Sequence, residues 1–291
     1  MSASIPAGKR QGPVNPLDFD GRCVIVTGGA KGIGKGITEA FLAAGADVVV
    51  CGRTEPDARD LPTGIRADGT ARQAVFVTAD VRDPDQAAAL VAAAVDRFGR
   101  LDVLVNNAGG SPHVDAATAS PRFSTSIVAL NLLAPLHCAQ AANVVMQGQS
   151  SGGSIVNIAS VSGLRPSPGT AAYGAAKAGL ISLSQSLAVE WAPLVRVNAL
   201  SAGLVATESA DDHYGGPAGT AAVAATVPQG RFGTPDDIAG ICLFLASPLA
   251  AYVTGANVVA HGGGERPAFL EAVERVQAGR DHSDAQGGAA P

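Results

Sequence analysis

A short apolar, β-branched run, Arg22 to Thr27 (RCVIVT), leads without a break into a glycine-rich turn that opens a helix, GGAKGIGKGITEAFLAAGA. Strand, tight turn and helix in direct succession constrain a chain strongly. The helix must carry the chain back so that the next strand can lie parallel to the first. The spacing is Thr27-Gly28-x-x-x-Gly32-x-Gly34, with Lys31 and Ile33 inside the turn. Glycines there let the backbone turn sharply and come close to a pyrophosphate, whose charge is favoured at a helix N-terminus. Glycine is common in this chain, at 36 residues, so the spacing alone would also suit an ordinary loop. The strand before it and the helix after it give the pattern its weight.

The same alternation continues along the chain. Asp47 to Cys51 reads as a second strand, followed by Gly52 and Arg53. An acidic residue about here holds ribose hydroxyls in many NAD sites; Gly52 stands in its place, and the Arg53 cation suits a 2′-phosphate. Arg53 as a solvated loop charge is the alternative. Thr54 to Arg72 reads as a polar loop, and Ala74 to Ala79 as a third strand ending at Asp80-Val81. Asp83 and Pro84 predict a helix start that runs to Gly99. Asp102 to Val105 is the fourth strand, ahead of Asn106-Asn107-Ala108-Gly109. The irregular stretch 111–120 is expected to line a cleft mouth, and Pro121 to Gln147 to form one long helix carrying Asn131. Gly153 to Ala159 and Val195 to Leu200 are the fifth and sixth strands. Ser201 to Gln229 shows no firm pattern and reads as a mobile lid. Thr234 caps a helix through Ala246. Asn257 to Ala260 is the last strand, ahead of His261-Gly262-Gly263-Gly264, and Pro267 to Gln277 suits a short amphipathic helix. Strands alternating with helices predict a parallel, doubly wound α/β sheet, which binds ligands at the C-terminal ends of its strands. The glycine turn, Arg53, Asp80, the NNAG stretch and Ser160 all fall at that edge.

The chemistry concentrates in Ser160 to Lys177, SVSGLRPSPGTAAYGAAK. Tyr173 and Lys177 lie four apart in a predicted helix, so they share a face with Cβ atoms about 5–6 Å apart. An ammonium that close favours a phenolate and lowers the phenol pKa. A phenol so poised can give or take a proton at a reacting oxygen, and Ser160, ending its strand, can reach the same oxygen. The bland alternative is a core tyrosine beside a solvated lysine. With three Tyr and four Lys in 291 residues, such a pair arises by chance only about 0.04 times, and its context must decide.

Composition narrows the classes. Hydrophobic residues make up 47% and charged residues 15%, which predicts a large core. A net charge of −5 offers no basic surface for nucleic acid. No apolar run reaches about 18 residues, so no membrane partner is expected. The first 20 residues lack the apolar stretch of a signal peptide and read as a flexible leader, so a cytoplasmic location is expected. Cys23, Cys51, Cys138 and Cys242 lie apart in apolar runs, which predicts buried thiols and no metal site.

In combination, TGGAKGIG, NNAG, Asn131, Ser160 with Tyr173-x-x-x-Lys177 and the closing HGGG resemble the short-chain dehydrogenases/reductases over roughly residues 21–264. The resemblance implies a single Rossmann-type domain with seven parallel strands and helices on both faces, usually in a homotetramer or homodimer. Residues 265–291 fall beyond the resemblance as a C-terminal extension, in which the residues themselves suggest a short helix and then a disordered tail. It implies that Tyr173 is the proton donor in carbonyl reduction and acceptor in alcohol oxidation. Lys177 would hold the nicotinamide ribose and lower the Tyr173 pKa. Ser160 would bond the substrate oxygen, and Asn131 would anchor a water linking Lys177 to solvent. The cofactor set would be Thr27, Gly28, Lys31, Gly32, Ile33 and Gly34, then Arg53, then Asp80 and Val81 at the adenine. Asn107, Ala108 and Gly109 would lie on the adenosine ribose side, with Tyr173, Lys177, Val205 and Thr207 at the nicotinamide end. One departure is Ala202-Gly203 where the family often has Pro-Gly, which predicts a looser turn.

Together these point to an oxidoreductase that uses NADP(H), with NAD(H) possible, on a small ketone or secondary alcohol. Alternatives are an NAD(H)-preferring alcohol dehydrogenase of the same family and a nucleotide-sensing binding protein on the same fold. Residues 111–119 and 204–228, which include Asp211, Asp212, His213 and Tyr214, suggest a medium-sized, mostly apolar substrate: an acyl thioester, a steroid-like fragment or a cyclic ketone.

Overall fold

The computed structural model of the chain describes residues 15–208, 215–270, 272–273 and 275–277. In chain order the main elements are β1 (Cys23–Thr27), α1 (Gly32–Ala43), β2 (Asp47–Gly52), β3 (Thr63–Ile65), β4 (Ala71–Gln73) and β5 (Val75–Thr78). Next come α2 (Pro84–Phe98), β6 (Val103–Asn106), α3 (Pro121–Val128), α4 (Ala134–Gln147) and β7 (Gly153–Ser160). The last are α5 (Ala171–Trp191), β8 (Val195–Ala202), α6 (Pro217–Ala224), α7 (Pro235–Ala246) and β9 (Asn257–Ala260).

Seven strands form one sheet in the order β5-β2-β1-β6-β7-β8-β9, and every pairing in it is parallel. A parallel sheet covered on both faces needs strands that are apolar on both sides. β1 meets that demand with all five residues buried. Cys23 and Ile25 point to the face covered by α2, α4 and α5, while Val24 and Val26 point to the face covered by α1 and α7. β1 is flanked by β2 on one side and β6 on the other. The strand order reverses at that boundary, and a crevice opens there at the strands' C-terminal ends.

The caps follow local chemistry. Asp83 accepts from the N–H groups of Asp85 and Gln86 at the start of α2, and Gly99 ends it with φ 75°. Thr234 and Asp237 form a reciprocal capping box at α7.

Four sequence expectations change. The loop 54–72 contains part of a small antiparallel hairpin, β3 with β4. Its three-residue strands are too short to show alternation. The long helix is interrupted: residues Ala129–Leu133 form a π turn between α3 and α4, invisible to a pattern count that treats it as one more turn. The stretch 121–147 is also long and apolar enough to match a membrane span by length and composition, although it packs against α2, α5, β6 and β7. Finally, β8 runs on through Ala202, which pairs with Ser160 on one side and Ala260 on the other. Gly203 N–H then donates to the Ala260 carbonyl at 2.8 Å. Ladder pairing holds this turn where the family often has a proline ring. Part of the expected lid is ordered as α6, and its residues 209–214 lie outside the described residues. The expected terminal helix is helical at 268–270, 272–273 and 275–277, and residues 1–14 and 278–291 also lie outside.

Candidate active site

The crevice at the β1–β6 boundary is a cleft of about 1120 Å³. One wall is the turn from β1 to α1. Gly28 and Gly32 hold φ of 64° and 51°, a region costly for any residue with a Cβ. A Cβ on Gly34 would lie 2.4 Å from the Asn107 amide nitrogen and from the Gly28 carbonyl. The turn is therefore compressed against the loop after β6, leaving backbone at the cleft surface. Lys31 is the N-cap of α1, and the first turn of that helix carries no acidic residue. A cation at the positive end of a helix is unfavourable, and a bound phosphate would reverse that.

Thr27 joins the two lips. Its hydroxyl accepts from the N–H groups of Asn107 and Ala108, both at 3.0 Å. The Asn107 amide donates back to the carbonyls of Thr27 and Gly28 at 3.0 and 3.3 Å. The Asn107 side chain thus stitches the glycine turn to the loop. Ala108 and Gly109 line the cleft behind it.

Asn131 is fully buried in the π turn. Its carbonyl accepts from Gly110 N–H, and its amide donates to the carbonyls of Gly110 and Ile127, each at 2.9 Å. The side chain pins Gly110 and so fixes the floor of the cleft. All three of these side-chain bonds go to backbone groups.

β7 delivers Ser160 and α5 delivers Tyr173 and Lys177 to the same cleft. Lys177 is 3% exposed, and its ammonium donates to the Ile158 carbonyl at 2.7 Å. Its nitrogen lies 5.6 Å from the centre of the Tyr173 ring. Burial pulls its pKa from 10.5 down to about 8. Burial also raises the Tyr173 pKa, against a hydrogen bond with Ser160 that lowers it. The sequence argument expected a lowered phenol pKa. Desolvation of the buried phenol is the larger effect and acts the other way.

Lys31, Ile33, Arg53 and Thr207 also line the cleft, with Gly28, Gly32 and Gly34. Thr27, Asp80, Val81, Asn131 and Val205 do not. Asp80 is held in an ion pair with Arg82, which lowers its carboxyl pKa, with a smaller pull from Arg53. Val81 is 6% exposed and packs in the core. Val205 bridges to Gly233, tying the segment after β8 to the segment before α7. Ala202 and Glu208 line the same cleft, as do Phe76, Gly110 and Leu130, which sequence reasoning passed over. Only the pairing of distant strands brings them there, and nothing in their local pattern marks them. Asp211, Asp212, His213 and Tyr214 lie outside the described residues.

An extended cleft with a compressed glycine turn at one end and a phenol–ammonium pair at the other fits a nicotinamide dinucleotide. Residues 28–265 match the family model described as enoyl-(acyl carrier protein) reductase. The chain is 38% identical over 245 residues to L-rhamnose 1-dehydrogenase (NAD(P)(+)) of Azotobacter vinelandii, covering 83% of this chain and 96% of that protein. It is 36% identical over 242 residues to 3-oxoacyl-[acyl-carrier-protein] reductase of Synechocystis, covering 82% and 95%. Among solved structures, a candidate short-chain alcohol dehydrogenase of Sinorhizobium meliloti matches with a TM-score of 0.76 and 36% identity, over 86% of this chain and 98% of that one.

Proposed function

The chain belongs to the short-chain dehydrogenase/reductase family, a family of NAD(P)-dependent oxidoreductases, and from that premise we propose that it interconverts a ketone and a secondary alcohol with NADP(H) preferred. The observation that carries the reading is the convergence of Ser160, Tyr173 and Lys177 on the cleft whose other end is the Gly28–Gly34 turn.

Gly28 to Gly34, Arg53, Ala108, Gly109, Lys177 and Thr207 would hold the dinucleotide, which when bound supplies or accepts the hydride. Tyr173 acts as general acid/base. Its raised pKa keeps the phenol protonated near neutrality, the form that donates to a carbonyl oxygen during reduction. In oxidation the same oxygen takes the alcohol proton. Ser160, near enough to lower the phenol pKa, holds the reacting oxygen in place. Lys177 is charged below about pH 8, and a positive charge beside the phenol stabilises the phenolate left after donation. Asn131 is a positioning residue that acts through Gly110.

Tyr173→Phe removes the proton and leaves the ring. We expect turnover of a ketone to fall about 10²–10⁴-fold, as for loss of a general acid, while cofactor binding measured by fluorescence is retained. Near-normal turnover would remove Tyr173 from this role. A nucleotide sensor on this fold would bind cofactor equally well and show no carbonyl-dependent oxidation of it.

The cofactor preference rests on Arg53 and Lys31 lining the cleft and on Gly52 where an acid would sit. Two cations favour a dianionic 2′-phosphate and leave a bare ribose diol without an acidic partner. Arg53 is exposed, so screening holds its contribution near the bottom of the range for a charge-assisted bond, roughly a tenfold preference. We expect kcat/KM to favour NADP(H) by that factor and Arg53→Ala to erase it. A native preference for NADH, or an unchanged ratio in the variant, would overturn the assignment.

A further inference from the structure

A second cavity, of about 340 Å³, adjoins the Ser160–Tyr173 end of the cleft and shares Gly203 with it. That volume sits at the lower end of the about 300–1,000 Å³ typical of small-molecule sites. Its wall has two characters. Val161, Leu204 and Val227 give it an apolar side, and Arg165, His261 and Glu265 give it a polar end. Arg165 and Glu265 are paired there through one guanidinium nitrogen and one carboxylate oxygen, 100 residues apart in the chain. The other terminal guanidinium nitrogen of Arg165 donates to the Pro166 carbonyl at 3.1 Å. Both side chains of the pair are part-exposed, at 40% and 41%, so a ligand can reach them. Each is also anchored near the chemistry. Arg165 follows the short turn Val161–Gly163 that continues from Ser160, and Glu265 follows the glycines after β9.

We propose, building on the ketone–alcohol reading above, that this cavity is the substrate pocket and that Arg165 and Glu265 select a neutral substrate with a hydroxyl beside the reacting carbon. A guanidinium presents only donors and a carboxylate only acceptors, here side by side. A hydroxyl both donates and accepts, so it bridges the two without adding charge. His261 adds a ring nitrogen donor and acceptor at the same end. An anionic tail would meet the Glu265 carboxylate. A wholly apolar tail would strip water from the pair and return nothing. The apolar side packs against the carbon skeleton. The substrate expected from loop composition alone was mostly apolar. Of the two segments behind that expectation, residues 204–228 supply Leu204 and Val227, and residues 111–119 line neither cavity. Val114 instead donates to the Gly169 carbonyl.

The test compares NADP⁺-dependent oxidation of cis-1,2-cyclohexanediol, cyclohexanol and 3-hydroxycyclohexanecarboxylate by the native protein, Arg165→Met and Glu265→Gln. We expect native kcat/KM for the diol to exceed that for cyclohexanol by about tenfold, the effect of one hydrogen bond to a charged group. Both variants should lose that advantage through a higher KM for the diol, so that their diol-to-cyclohexanol ratio of kcat/KM falls towards one. Saturation transfer from protein to diol, read by NMR in the presence of NADP⁺, should be strong for the native protein and weak for Arg165→Met. Equal native rates for diol and cyclohexanol overturn the proposal. So does a faster carboxylate reaction that rises further in Glu265→Gln, which would make the pocket an anion site. Absent transfer to the native protein, or undiminished transfer in Arg165→Met, overturns it without reference to turnover. If no alcohol reacts but Arg165-dependent transfer is seen, the pocket stands and the hydride-transfer reading falls. If cyclohexanol reacts and the diol gains nothing, the reverse holds.

Discussion

A lysine at 3% exposure with its ammonium on a backbone carbonyl carries a cost that depends on pH. Lys177 titrates at about 8 in the folded chain against an ordinary 10.5. Between those values the unfolded chain binds more protons than the folded one, so stability rises with pH across that window. A drop of roughly 2.5 pH units corresponds to up to about 3 kcal/mol. Lys177→Met removes the charge and keeps the apolar stem. Denaturant titrations should therefore show the native protein gaining up to about 3 kcal/mol on the variant between about pH 8 and 10.5. Below pH 8 the gap should be flat. A gap that does not change across the window would mean the ammonium is solvated in a way its burial denies. The variant should also be poorly active, since nothing then stabilises the phenolate of Tyr173.

At the scale of elements, the face of the sheet behind the glycine turn depends on how closely α1 meets α7. Gly36 lies on α1, and a Cβ there would sit 2.4 Å from the Pro235 ring and 3.1 Å from its backbone carbonyl carbon. Neither is the flexible end of a side chain, so the helices would have to part. Gly36→Ala gains about 1 kcal/mol of helix propensity and loses about 1–3 kcal/mol to overpacking. We expect a net lower Tm and, because the same helix begins at the cleft, a weaker cofactor affinity. A Tm equal to or above the native value would show that the crossing can relax. The elements themselves were largely legible. Asp83-Pro84, Thr234 and the β-branched runs announce their helices and strands through local chemistry. The β3–β4 hairpin and the π turn were not legible. A three-residue strand has no period to read, and a π turn differs from an α turn only in which carbonyl each N–H reaches.

For the molecule as a whole, the surface raises the question of assembly. Leu133, Val144 and Val189 are exposed at 42%, 76% and 82% on the π turn, α4 and α5. Apolar residues on two long neighbouring helices suit a covering partner. We propose that a second copy of the chain covers them, giving a dimer or tetramer. Light scattering at micromolar concentration should report that mass, and Val144→Glu with Val189→Glu should shift it towards the monomer. A native monomer would refute the proposal.

What the sequence determined by itself was whatever neighbours along the chain enforce. That includes the strand–turn–helix succession, the parallel sheet it requires, and Tyr173 and Lys177 on one helix face. Those depend on backbone period, caps and turn sterics, all local quantities. Tertiary structure decided what depends on burial and on distant partners. It turned the Asn131 side chain onto Gly110 and the Asn107 side chain onto the glycine turn. It raised the Tyr173 pKa where the chain alone predicted a fall, because desolvation is set by everything packed around the phenol. It also brought Arg165 to Glu265 across 100 residues, a pairing no spacing rule foresees, since two strand ends meet only when the whole sheet has formed.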